Sequence, residues 1–80
     1  MNTTTTAAQI GEIIAKLRTE KGLKQNQLSA MLSISPGNLS NYEHGVYWPA
    51  LDMLCRIADL FNVSTDFLLG RTGYRCPPES

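Results

Sequence analysis

Two asparagines, Asn38 and Asn41, stand three residues apart within QNQLSAMLSISPGNLSNYEHG, the stretch from Gln25 to Gly45. On a helix, positions three apart share a face, so the two amides project together. A primary amide carries a donor and an acceptor in one plane, which matches the N6 and N7 edge of adenine in the major groove. Leu39 and Tyr42 repeat the same spacing and fall on the opposite, apolar face. A polar outer face left to water has the same pattern. The pair therefore suggests base recognition and leaves the solvated alternative open. Ser40 can touch a base or a phosphate, or bond within its own helix.

Other chemistries fit less well. Cys55 and Cys76 read as reduced thiols, the first in a helical apolar pattern and the second in a Pro-rich tail. Adding His44 gives neither the spacing of a zinc site nor a supported nucleophile pair. No catalytic residue, metal or cofactor is expected. The triplets beginning at Asn2, Asn38 and Asn62 match a glycosylation pattern only by chance in a chain without a secretion signal.

Eighty residues suffice for one small domain. The chain is 42% hydrophobic and 18% charged, which fits a folded domain and excludes disorder as its general state. No apolar run approaches the roughly 18 residues of a membrane span. MNTTTTAAQ has no basic start, so no signal peptide is expected and the location is read as cytoplasmic. Seven basic and seven acidic residues give a net charge of zero. A nucleic-acid binder usually carries a basic surplus. The basic residues here are uneven, however: Lys16, Arg18, Lys21 and Lys24 gather before the asparagine stretch, while Asp52, Asp59 and Asp66 lie in the C-terminal half. An uneven field can favour phosphate on one face; an ordinary solvated helix face looks the same.

Helical elements must position these residues. Strand-like alternation never persists, and apolar residues recur at helical spacing. A first helix is predicted from about Ala7 to Lys21, with Thr6 and Gln9 spaced as a capping box and Gly22 as its stop. Its apolar stripe is Ile10, Ile13, Ile14 and Leu17. A second runs from about Gln25 to Leu32, facing Leu28 and Leu32 inward. A third begins after Ser35, a cap followed by Pro36 at the first turn, and ends near His44 with Gly45 as its stop. Pro49 holds Trp48 extended in the loop that follows. Burial gains most for large aromatics, so Trp48 is expected to pack on the fourth helix. That helix covers about Ala50 to Phe61, with the stripe Leu51, Leu54, Ile57, Ala58 and Phe61. Ser64 caps a last short helix through Leu69. The result is a compact all-α domain over residues 7–70, flanked by flexible tails 1–6 and 71–80. The three-residue link Ser33-Ile34-Ser35 makes helices 2 and 3 cross steeply, as in a helix-turn-helix.

LKQNQLSAMLSISPGNLSNYEHG resembles the Cro and lambda-repressor type helix-turn-helix family, also called the XRE family. Leu23, Gln25, Leu28, Ser29, Leu32, Ile34, Ser35, Leu39, Ser40, Tyr42, Glu43 and Gly45 stand at the family's positions. The similarity continues through PALDMLCRIADLFNVSTDFLLG and covers about Ile10 to Gly70. It implies a five-helix lambda-repressor-like fold whose third helix reads DNA. Three features depart from the pattern. Ser33 replaces the usual turn glycine. Pro36 and Gly37 stand where relatives often carry long base-reading side chains. Val46-Tyr47-Trp48 stands where many have lysine or arginine.

Base contacts are expected from Asn38, Asn41 and Ser40, with Gly37 contributing backbone shape. Phosphate contacts are expected from Gln25, Lys24, Lys21, Ser35, His44 and Tyr47. Gln25 begins helix 2, where free N–H groups attract phosphate. It commonly also braces the recognition helix in the family. The resemblance pairs Arg18 with Glu43 as a structural brace between helices 1 and 3. The expected function is a sequence-specific transcriptional regulator, a repressor bound as a homodimer to a palindromic operator in double-stranded DNA. The C-terminal helices would form the dimer, with no membrane and no small-molecule ligand involved. The rival is an antitoxin or protein-interaction module on the same fold, with weak or no DNA binding.

Overall fold

The computed structural model describes residues 6–71. The expected tails thus lie outside the described residues, as does Cys76, except for Thr6 and Arg71 at the two ends. Five helices follow in order: α1 (Ala7–Glu20), α2 (Gln25–Met31), α3 (Pro36–Glu43), α4 (Leu51–Phe61) and α5 (Thr65–Leu68). Among the described residues there is no strand.

The starts follow the side chains at hand. The Thr6 hydroxyl accepts from the Gln9 backbone N–H, and the Gln9 side chain accepts from the Thr6 N–H. Ser35 and Ser64 hydroxyls accept from the N–H groups of Asn38 and Phe67. Each bond satisfies a donor that the first helical turn leaves without a partner. α2 begins differently: Lys24 supplies no side-chain cap, and the Gln27 side chain reaches back to the Lys24 N–H at 2.8 Å.

All five helices end the same way. After α1, α2, α3 and α5 the residue beyond the cap turns left-handed, after α4 the cap Asn62 itself does, and each time two N–H groups fold back onto the last carbonyls. After α2 these are Ser33 N–H to Ala30 and Ile34 N–H to Ser29, at 3.1 and 2.9 Å. Ser33 sits at φ +59°, where a side chain crowds the backbone, so serine occupies the strained position that the sequence suggested. Four residues join α2 to α3, and the two helices pack against each other.

The apolar stripes meet in one core. Ile10, Ile14 and Leu17 of α1, Leu28 and Leu32 around α2, Leu39 of α3, Leu54, Ile57, Ala58 and Phe61 of α4, and Leu68 of α5 are all buried. Ile13, Tyr42 and Phe67 pack partly buried against them. Each fully buried aliphatic side chain contributes about 1.5–3 kcal/mol. Two expectations fail. Leu51 is 77% exposed, and Met53 is buried in its place. Both residues flank the stripe centred on Leu54, Ile57, Ala58 and Phe61 at similar helical angles, so the spacing does not choose between them. Trp48 is 56% exposed and does not pack down. Pro49 is buried instead, and in extended backbone neighbouring side chains point to opposite sides.

α1 and α3 approach closely because Gly11 has no side chain. A Cβ built there would lie 2.3 Å from the Tyr42 carbonyl oxygen and 2.5 Å from that of Glu43. Gly45, at φ +76°, meets the Ala8 backbone in the same way. A Cβ at Gly37 finds only the Ser35 hydroxyl, at 3.9 Å. The two helical glycines should therefore respond oppositely to alanine. Gly11→Ala should cost about 2 kcal/mol or more in urea unfolding, through overpacking, whereas Gly37→Ala should gain about 0.5 kcal/mol. Equal effects would refute the close helix contact. Ser33→Gly should stabilise by about 1 kcal/mol in the same assay.

Candidate nucleic-acid interface

The C-terminal end of α3 is fixed by one carboxylate. Glu43 Oε2 accepts from Arg18 Nε at 2.7 Å, and Oε1 accepts from Arg18 Nη2 at 3.2 Å. The side chains are only 15% and 4% exposed. Oε1 also accepts from Gln25 Nε2 at 2.9 Å. Arg18 Nη1 donates to the Leu23 carbonyl at 2.8 Å, at the end of α1. One buried acid thus joins α1, the first residue of α2 and the last residue of α3. A buried charge is tolerated only when paired and hydrogen-bonded, and both conditions are met.

This network engages Arg18 and Glu43, the residues expected as a brace, and also Gln25. Arg18 is occupied, so of the basic group Lys16, Lys21 and Lys24 remain, all exposed and without an ion pair among the described residues. Gln25 has one amide N–H committed to Glu43, leaving its other N–H and its carbonyl oxygen. Arg56 of α4, which the sequence reading passed over, donates to the Leu32 carbonyl at 2.9 Å and holds the end of α2.

α3 turns Leu39 and Tyr42 toward the core, as its spacing implied. Asn38 is exposed and Asn41 half-buried, and neither side-chain amide has a hydrogen-bond partner among the described residues. Gly37, Asn41 and His44 follow at spacings of four and three along the side away from Leu39. Ser40 and His44 engage each other: the His44 Nδ1 lies 2.8 Å from the Ser40 carbonyl and 3.3 Å from its hydroxyl. A carbonyl only accepts, so this bond places a proton on Nδ1 and leaves Nε2 as the free ring atom. The Ser35 hydroxyl accepts the Asn38 N–H and keeps its own proton to donate. Tyr47 is 55% exposed beyond the end of α3. Lys21, Lys24, Asn38 and Tyr47 are thus exposed, whereas Gln25, Ser35, Ser40 and His44 already carry side-chain bonds.

Gly11 was also missed by the sequence reading. Its signal was present: a glycine inside a helix costs about 1 kcal/mol against alanine, so it asks for a packing reason. Among the described residues no three His, Cys, Asp or Glu side chains converge as a metal site requires, and Cys55 is an exposed free thiol. No helix there is long and apolar enough to cross a membrane.

Residues 14–68 match the family model described as helix-turn-helix. The chain belongs to the Cro/C1-type helix-turn-helix family. It is similar to the HTH-type transcriptional regulator ImmR of Bacillus subtilis, 39% identical over 62 residues, which is 78% of this chain and 49% of that protein. The SPbeta prophage-derived uncharacterized HTH-type transcriptional regulator YonR of the same organism is also 39% identical over 62 residues, covering 78% and 57%. The chain spans about half the length of these curated relatives. Among solved structures, the clp gene regulator ClgR of C. glutamicum aligns with a TM-score of 0.72 at 23% identity, covering 81% of this chain and 84% of that one. That likeness establishes the shared all-helical fold.

The buried pair carries a direct test. Arg18→Ala leaves Glu43 without its cation and should cost about 3 kcal/mol or more in chemical denaturation. Arg18→Lys should recover only part, since an ammonium cannot fork across both oxygens and also reach Leu23. Unchanged melting for Arg18→Ala would show that the pair does not hold the fold.

Proposed function

We propose that this chain is the DNA-binding unit of a sequence-specific transcriptional regulator. The observation that carries this is the pair Asn38 and Asn41, presented without internal partners by a helix that Glu43 locks at its far end, in a chain of this family. α3 enters the major groove and the two amides read base edges. Gly37 permits close backbone approach, and Ser40 lies alongside. Lys21, Lys24, Gln25, Ser35, His44 and Tyr47 meet phosphates and set register without reading sequence.

One short helix reads few base pairs. Two copies on half-sites about 34 Å apart, joined through the C-terminal helices, would read a palindrome and repress by occluding the promoter. A neutral chain and an exposed apolar loop favour a second reading, a protein-interaction module, and salt separates the two. Counterion release makes DNA affinity fall steeply as salt rises.

Selection from a random duplex pool at low salt should enrich a palindrome. Asn38→Ala or Asn41→Ala should each cost about 1–3 kcal/mol of binding and relax preference at one base position. If no duplex is enriched, the regulator reading fails. If both variants keep full selectivity, the groove assignment fails.

A further inference from the structure

Each helix ends at one left-handed residue, and at four of the five the residue type suits that conformation. Gly22, Gly45 and Gly70 have no Cβ to crowd, and Asn62 belongs to the few side chains that tolerate it. The turn between α2 and α3 is the exception, with Ser33 at φ +59°. A Cβ there lies close to the carbonyl that follows, a cost that glycine does not carry. The least suited residue thus stands at the turn that leads into α3.

Ser33 has one short way out. Rotating the peptide unit between Leu32 and Ser33 changes ψ of Leu32 and φ of Ser33 together, which takes the serine out of the left-handed region. The same rotation must swing the Leu32 carbonyl oxygen away. Both polar groups of that peptide unit are engaged. Its N–H donates within α2, to the Ala30 carbonyl at 3.1 Å. Its oxygen is held from outside the turn, accepting from Arg56 Nη2 at 2.9 Å. Arg56 stands on α4 next to Ile57 and Ala58, both buried, so its own backbone is anchored in the core. Its side chain lines a groove with Met31, Leu32, Asp59 and Leu60, between α4 and the end of α2.

We propose that Arg56 is a positioning residue for recognition by α3. Its guanidinium clamps the Leu32–Ser33 peptide, offsets the strain of a serine in the left-handed turn, and so fixes the end of α3 that carries Asn38. Glu43 secures one end of α3 and Arg56 the other. Arg56 acts through Ser33 and makes no DNA contact of its own. The inference rests on the DNA-binding reading of α3.

The test is a double-mutant cycle in the full chain, with a duplex enriched from the random pool as the probe. Well below the melting temperature, Arg56→Ala should weaken binding about fivefold, because only the fraction of chains with the turn left-handed binds tightly and a strain of about 1 kcal/mol then sets that fraction. In the Ser33→Gly background the same substitution should cost no more than about twofold, since glycine takes positive φ as readily as negative. The slope of log affinity against log salt should be equal in all four proteins, as no phosphate contact is lost. Amide exchange gives a reading without DNA. The Ile34 N–H reaches the Ser29 carbonyl only while the turn is closed. Arg56→Ala should speed its exchange about fivefold, and adding Ser33→Gly should slow it again.

Arg56→Ala binding as tightly as wild type overturns the clamp while leaving DNA binding intact. An equal loss in both backgrounds also overturns it, because Arg56 would then act by a route other than Ser33. A salt slope lowered by about one in Arg56→Ala would make the residue a phosphate contact and overturn it as well. If the wild type binds no duplex, the DNA-binding reading fails and the recognition role with it. Unchanged Ile34 exchange in Arg56→Ala overturns the clamp whether or not DNA binds.

Discussion

A carboxylate with 4% of its side chain exposed sits at the end of the helix that faces outward. Glu43 cannot stay charged there unless its oxygens are filled, and Arg18 and Gln25 fill them. The geometry of α3 follows from this need. Arg18 belongs to α1 and also closes the Leu23 carbonyl, while Gln25 opens α2. Moving any of the three helices strands a buried charge, at a cost of several kcal/mol against a total stability of about 5–15 kcal/mol. A hydrophobic core of the same size would tolerate a sliding helix more easily. The buried acid fixes register where aliphatic contacts alone would not.

The second constraint is steric. Gly11 lets the Tyr42 and Glu43 carbonyls approach α1, and Gly45 lets the chain leave α3 against Ala8. The ion pair and these contacts act at the same end of α3. The other end is set by the Ser35 cap, Pro36 and the tight turn at Ser33. An eight-residue helix is too short to be stable alone. Held at both ends, it can present Asn38 and Asn41 at fixed separation without needing the amides for its own stability.

The sequence carried the elements well because their signals are local. Thr6 and Gln9, Ser35 and Pro36, Ser64, and the glycines after α1 and α3 are side-chain and backbone chemistry within a few residues. The apolar stripe of α1 reads directly as its buried face. What failed depends on distant partners. Leu51 and Met53 flank the α4 stripe equally, and only the assembled core separates them. Trp48 looked like a core residue by size, yet Pro49 took the inward direction. The importance of Gly11 lies in where α3 passes, which no local pattern states. Arg18 and Glu43 are 25 residues apart in sequence, and the pairing came from family resemblance, not from spacing. At the candidate site, side-chain type pointed to Asn38 and Asn41. The commitments of Gln25, Ser40 and His44 to their own fold appear only in three dimensions.

Mapping amide chemical shifts while titrating duplex DNA into the labelled chain tests the central claim most directly, that a locked α3 offers its outer face to the groove. The side-chain NH₂ signals of Asn38 and Asn41 should move most, followed by backbone signals of Lys24 and Gln25, while Ile14, Leu28 and Ile57 in the core stay still. Shifts concentrated on α4 and α5, or none at any duplex concentration, would contradict the account.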